Sequence, residues 1–227
     1  VRAERRQAMA ETGTTTPRER YRAQVQAEIK ERAWEQIATA GASALSLNAI
    51  AKQMGMSGPA LYRYFAGRDE LITELVRDAY RSLADAFRTA SAAGGGLTGL
   101  AHTLRDWALD DPQRYFLVYG TPVPGYHAPD DVTTIASEIM TALLDACADL
   151  PADGPPPPLA AHLEGLGDQW TTGHPAPPAA LHRALTCWTR LHGVLSLELA
   201  GHFNGMGFDP TLLFTAELDT LTGTSAN

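Results

Sequence analysis

Tyr62, Arg63 and Tyr64 stand directly behind four small or stiff residues, Ser57-Gly58-Pro59-Ala60. A guanidinium and two phenols are donors for phosphate oxygens and base edges. The small residues ahead of them allow a helix end to approach such groups closely, and its free N–H groups favour an anion. The seven histidines invite a different chemistry, because all lie after residue 100. His182, His192 and His202 step by ten, which spreads them around a helix rather than placing two on one face at i, i+4. A metal site is therefore not expected, and neither is a cofactor. No nucleophile motif, paired carboxylates or phosphate-cradling loop marks an enzyme, and no catalytic residue is assigned.

Charge divides along the chain. Residues 1–90 hold 14 basic and 11 acidic side chains, residues 91–227 hold 4 and 15, and the whole chain carries −8. A first part that meets a polyanion and a second that does not would account for this split; solvated helix faces of differing sign would also account for it. Cys147 and Cys187 have neither disulfide-framework nor zinc spacing and read as small core residues in a reducing cytosol. Arg outnumbers Lys sixteen to two, a bias of high-GC bacterial genomes. The first residues, VRAERRQAMAETGTTT, contain no apolar run of the secretory kind, and no stretch approaches the length of a membrane span. The expected location is the cytoplasm.

The elements that would position these groups all read as helices. Residues 1–20 form an arm with Arg2, Arg5, Arg6 and Arg18, expected to be disordered. Val25, Ile29, Ala33, Ile37 and Ala40 recur at helical spacing from Tyr21 to Gly41, and Trp34 extends the stripe. Ser46 caps a short helix ending at Met54, Gly55 makes a turn, and Ser57 caps a second short helix running to Phe65. Ile50, Met54, Met56 and Leu61 would pack the two at a steep angle, the arrangement that lays a second helix in a major groove. A long amphipathic helix follows from Arg68 to Thr89. Further helices are expected over 97–110, 112–120, 130–150, 159–170, 181–202 and 210–221, with loops at 121–129 and 171–178 and a polyproline or turn segment at 151–158. The fold class is all-α, with nine or ten helices. The expected domains are 21–67 for the helix-turn-helix and 68–227 for a larger helical domain.

LSLNAIAKQMGMSGPALYRYFAGRDELI resembles the N-terminal signature of the TetR family of bacterial transcriptional regulators, and the resemblance covers residues 21–75. It implies a three-helix DNA-binding domain followed by a ligand-binding and dimerisation domain. It also implies a homodimer on palindromic double-stranded DNA, usually repressing and released by a small-molecule effector. Carried over by position, Ser46 and Tyr62 contact phosphate. Tyr64 stands where the family has an aromatic residue or His, and Arg68 replaces the Lys opening the fourth helix. Base reading is expected from Gly58, Pro59, Ala60 and Arg63, with Ser57 leading that element. Arg63 is the best candidate for a guanine, and shape or methyl contacts are expected to share in specificity.

In the second half, Cys187-Trp188-Thr189-Arg190-Leu191-His192-Gly193, with Leu197-Glu198-Leu199, resembles the Trp-His-Gly subgroup of TetR C-terminal domains over roughly residues 100–222. Trp188 and His192 share one helix face. Gly193 inside a helix costs about 1 kcal/mol relative to Ala, for which close approach of another helix would be the reason. A ligand pocket and a subunit contact both fit that face. Trp107, Tyr115, Phe116 and Tyr119, with Tyr126, supply aromatic walls for a flat or apolar ligand, or simply core. Leu181, Leu185, Leu212, Leu213 and Leu221 are candidates for a subunit seam or the core beneath it. The competing readings are a helical small-molecule carrier with a vestigial DNA-binding domain, and an enzyme using the His-rich half.

Overall fold

The computed structural model describes residues 16–151, 158–165 and 174–223. The arm up to residue 15, the proline-rich segment at 152–157 and residues 166–173 lie outside the described part. Within it the chain is all helical. It has ten α-helices and one 3₁₀ turn, with no strand among the described residues. We number the helices α1 (Pro17–Ala40), α2 (Leu47–Gln53), α3 (Gly58–Leu61), α4 (Arg68–Ala92), α5 (Gly96–Asp110), α6 (Pro112–Tyr119), α7 (Asp130–Ala148), α8 (Pro158–Gly165), α9 (Pro178–Leu199) and α10 (Pro210–Thr222).

Two compact units form, one up to Ile72 and one from Thr73 onward, so the division falls inside α4. In the first unit, α1 buries Val25, Ile29, Ala33 and Ile37 along one stripe, with Trp34 half-buried beside it. Gly41 ends it with φ of 77°. The helix begins earlier than its apolar stripe indicates, so residues 17–20 are not part of an irregular arm. The cause is a capping box: the Glu19 N–H donates to Thr16 Oγ1 at 3.3 Å, and the Thr16 N–H donates to the Glu19 carboxylate at 2.7 Å. Pro17 at the first helical position needs no N–H partner.

The second unit is built around α9, which packs against α7, α8 and α10. Its core includes Leu83, Phe87, Leu104, Leu144, Leu195 and Phe214, all nearly inaccessible. Cys147 and Cys187 are buried there as free thiols, and burial pushes both up to about 12. Among the described residues no helix is long and apolar enough to cross a membrane. Arg105 of α5 is buried at 6% exposure, and both of its terminal nitrogens are paired. Its guanidinium forms a forked ion pair with Glu198 of α9, donates to Thr211 Oγ1 of α10 at 3.0 Å and lies over the Phe214 ring. One charge thus fixes three helices to each other.

Several boundaries differ from the sequence reading. The α7 N-cap is Pro129, and Asp130 and Asp131 occupy the first turn, where their charge favours the helix dipole. The helix α9 starts at Pro178 and stops at Leu199, where the chain turns through Gly201 at φ 77°. Gly193 is not explained by a close helix within the chain: a Cβ there meets nothing within 4 Å. Leu181 is core, Leu185, Leu213 and Leu221 pack partly buried against it, and Leu212 is 69% exposed.

Candidate functional site

The first unit presents its polar groups outward from a short helix pair. Ser46 caps α2 by accepting from the Ala49 N–H at 3.3 Å, and its own N–H donates to Gln36 Oε1 at 3.0 Å. The turn closes through Gly55, whose φ of 64° suits glycine, and the Met56 N–H donates to the Ala51 carbonyl at 2.8 Å. Ser57 then opens α3 by position, but its side chain makes no capping bond, so the hydroxyl is exposed and uncommitted. Gly58 lies close to α2: a Cβ there would meet Asn48 Oδ1 at 3.3 Å. Pro59 is exposed and Ala60 half-buried, while Leu61 and Phe65 anchor the element in the core.

The expected helix to Phe65 is α-helical only over Gly58–Leu61. The Arg63 and Tyr64 N–H groups donate three residues back, to the Ala60 and Leu61 carbonyls at 3.4 and 2.8 Å, which winds the chain more tightly. Tyr62 (46% exposed) and Arg63 therefore project from a turn that continues the helix. Helix α1 supports that turn from behind. Arg22 donates to the Arg63 carbonyl at 3.1 Å and lies over the Tyr64 ring, and Gln26 reaches the Tyr64 carbonyl at 3.5 Å. Arg18, Tyr21, Arg22, Arg63 and Tyr64 line an open groove of about 260 Å³. Sequence reasoning left Arg18, Tyr21 and Arg22 out of this surface. The Thr16-Pro17-Arg18-Glu19 capping signature was the signal that they belong to a helix. Arg68, expected at a phosphate, donates instead to the Ala42 carbonyl at 2.9 Å and the Ser43 carbonyl at 3.4 Å, and so holds the 3₁₀ turn ahead of Ser46.

In the second unit the six expected aromatic and histidine residues come together. One turn of α6 stacks Tyr115 over Tyr119, one turn of α9 stacks Trp188 over His192, and α5 contributes Trp107. The His192 ring lies 4.1 Å from Trp188 and 4.4 Å from Tyr119, centre to centre, and nearly parallel to Tyr115 at 5.6 Å. Trp107 meets Tyr119 edge-on at 6.5 Å, and Phe116 meets Tyr115 edge-on at 5.5 Å. Tyr80 of α4, which sequence reasoning missed, adds an edge contact to Tyr119 at 5.9 Å. Tyr126 stands apart, its hydroxyl 3.1 Å from that of Thr73.

The polar atoms of this cage are unevenly matched. Tyr115 Oη lies 2.9 Å from His192 Nδ1 and 2.8 Å from Ser196 Oγ, and Trp107 Nε1 donates to Ser82 Oγ at 2.8 Å. The Tyr119 hydroxyl and His192 Nε2 are sealed from solvent and have no partner among the described residues. Burial pulls His192 down to about 4, so its imidazole is neutral near pH 7, and burial holds the Tyr119 phenol well above its ordinary range. No group of three or more potential metal ligands occurs among the described residues.

A helix-turn-helix with an exposed arginine-tyrosine edge, joined in one chain to a helical unit with an aromatic cage, defines a DNA-binding transcriptional regulator. The chain belongs to the TetR family. Residues 29–75 match the model of bacterial regulatory proteins of the tetR family, and residues 97–221 match the tetracyclin repressor-like C-terminal domain. It is 35% identical to the HTH-type transcriptional regulator Rv1816 of Mycobacterium tuberculosis and to Mb1846 of Mycobacterium bovis, over 92% of this chain and 95% of each relative. Among solved structures it is similar to the regulatory protein SCO4313, with 71% identity and a TM-score of 0.84 over 92% of this chain and all of that one. A TetR-family regulator from Shewanella sp. PV-4, at 15% identity and a TM-score of 0.54 over 88% of this chain and 96% of that one, shares the fold.

Proposed function

We propose that the chain is a homodimeric repressor that binds a palindromic operator and is released by a small molecule held in the cage. The observation that carries the DNA reading is the uncommitted polar edge of α3: Ser57 without a capping bond, and Tyr62 and Arg63 exposed. Gly58, Pro59 and Ala60 bring that edge close to base pairs, and Arg63 has the fork that suits a guanine. Ser46, Tyr62 and Tyr64 take phosphates. Arg18, Tyr21 and Arg22 extend that contact along the groove beside Arg63, and Arg68 adds its charge while positioning the turn before Ser46.

The dimer reading rests on large apolar side chains that no described residue covers. Leu197 of α9 is 45% exposed, Leu212 of α10 is 69% and Met206 between them is 64%. Gly193 and Ala216 are exposed small residues on the same two helices, and the open side of Gly193 admits a close neighbour. A second copy covers this face, and two copies of α3 then address half-sites about one helical turn apart.

Two experiments test this. Selection of bound duplexes from a random pool should return a palindrome whose affinity falls steeply with salt; a pool that stays random would refute operator binding. Sedimentation should show a dimer that Leu197→Glu with Leu212→Glu converts to a monomer, with operator affinity reduced about 100-fold or more. A native monomer, or a double variant that remains dimeric, refutes this interface.

A further inference from the structure

The aromatic cage contains two buried polar atoms that no described residue satisfies, the Tyr119 hydroxyl and His192 Nε2. Buried polar atoms are nearly always paired, so two orphans on rings 4.4 Å apart need a reason. Both atoms are sealed from bulk solvent. The rings beside them are Trp107, Tyr80 and Trp188, and the Tyr80 hydroxyl makes no hydrogen bond to Tyr119 that would satisfy it. Arg114 lies over Trp107 and is held by the Trp107 carbonyl at 2.9 Å and Asp110 at 3.3 Å.

Trp188 also lines an apolar crevice. Leu104, Leu143, Cys187 and Leu191 are among its walls, with Leu100 and Phe87 behind them. It is closed to about 10 Å³, the room of a single water. Trp188 is the common wall. Its ring packs on His192, and the same residue lines the crevice.

We infer that Tyr119 and His192 form the polar end, and the crevice lined by Trp188 the apolar end, of one effector site for a neutral, flat, largely apolar molecule carrying a single hydroxyl group. This rests on the effector-release reading above and gives it a chemical class. A hydroxyl accepts from one orphan and donates to the other, which a carboxylate or an ammonium cannot do. A neutral imidazole and apolar walls offer a carboxylate no counter-charge, and burying that charge unpaired is unfavourable. Because the crevice is closed, the molecule enters only as the Trp188 ring turns aside and α5 and α9 part. Binding is thereby tied to a movement within the second unit.

The probe is a matched naphthalene series, titrated calorimetrically at pH 7 into the full chain: 2-naphthol, naphthalene and 2-naphthoate. The expected result is that 2-naphthol binds about tenfold tighter than either of the others. Tyr119→Phe should bring 2-naphthol to within about threefold of naphthalene while leaving the melting temperature of the free protein unchanged or raised, because no hydrogen bond is lost in the empty site. Absence of binding, equal affinity across the series, or a fall of several degrees in the melting temperature of Tyr119→Phe overturns the inference. Operator release is read separately by mobility shift. If 2-naphthol binds with these preferences and DNA stays bound, the release reading fails and the site stands. If DNA is released equally from the native chain and Tyr119→Phe, release stands and this site fails.

Discussion

The two units handle hydrogen-bonding capacity in opposite ways. Up to Ile72, polar side chains mostly face solvent or secure backbone groups, as Arg22, Arg68 and Ser46 do, with Gln36 Nε2 a buried exception. Beyond it, polar groups are drawn inside, where both terminal nitrogens of Arg105 are paired and Tyr119 and His192 are left open. An exposed group without a partner is solvated and contributes little to stability, so evolution is free to set it by what it binds. A buried one destabilises the fold until something meets it. Mutations in the first unit should therefore act on binding, and mutations in the second on stability.

The sharpest way to break that contrast is at Arg105. Arg105→Ala leaves Glu198 buried without its partner and should lower unfolding stability by about 3–5 kcal/mol, read by urea denaturation. Arg105→Met with Glu198→Leu should recover most of the loss. A loss below about 1 kcal/mol in the single variant would show that the pair is solvated rather than buried.

His192 comes next. Its folded value of about 4 lies below the ordinary 6.5, so between those values the unfolded chain takes up a proton that the folded chain refuses. Stability is full above about pH 6.5 and falls as pH drops toward 4, by about 3 kcal/mol at most. Unfolding midpoints at pH 7 and 4.5 check this, and His192→Gln should flatten the difference. An unchanged slope in that variant would place the acid sensitivity elsewhere.

The first unit should respond differently. Arg63→Ala should cost operator binding about 1–3 kcal/mol, relax the preference at one base pair per half-site and leave the melting temperature in place. Tyr62→Phe should weaken every sequence alike, by about 1 kcal/mol or less. Equal loss of specificity in both variants would erase the distinction between reading and anchoring.

What the residues revealed beforehand follows the range of each physical rule. Rules acting within one turn worked well: Ser46 caps α2, Gly55 turns with positive φ, and i, i+4 spacing paired Trp188 with His192. The start of α1 is also set locally, by the Thr16–Glu19 box, which lies upstream of the apolar stripe. Tyr80 and the role of Arg68 were hidden for another reason. Each meets a partner tens of residues away, and no local spacing encodes that contact. Gly193 shows the same limit in reverse, since its open side becomes informative only after every neighbour is placed.

Cys187 lines the crevice, and its thiol is pushed to about 12. In the closed molecule it is almost never a thiolate, so alkylating agents find no nucleophile there. On the opening proposed above, each parting of the crevice walls would briefly admit reagent and base. The rate of labelling at Cys187 thus counts openings directly, giving this regulator an internal chronometer for its own breathing.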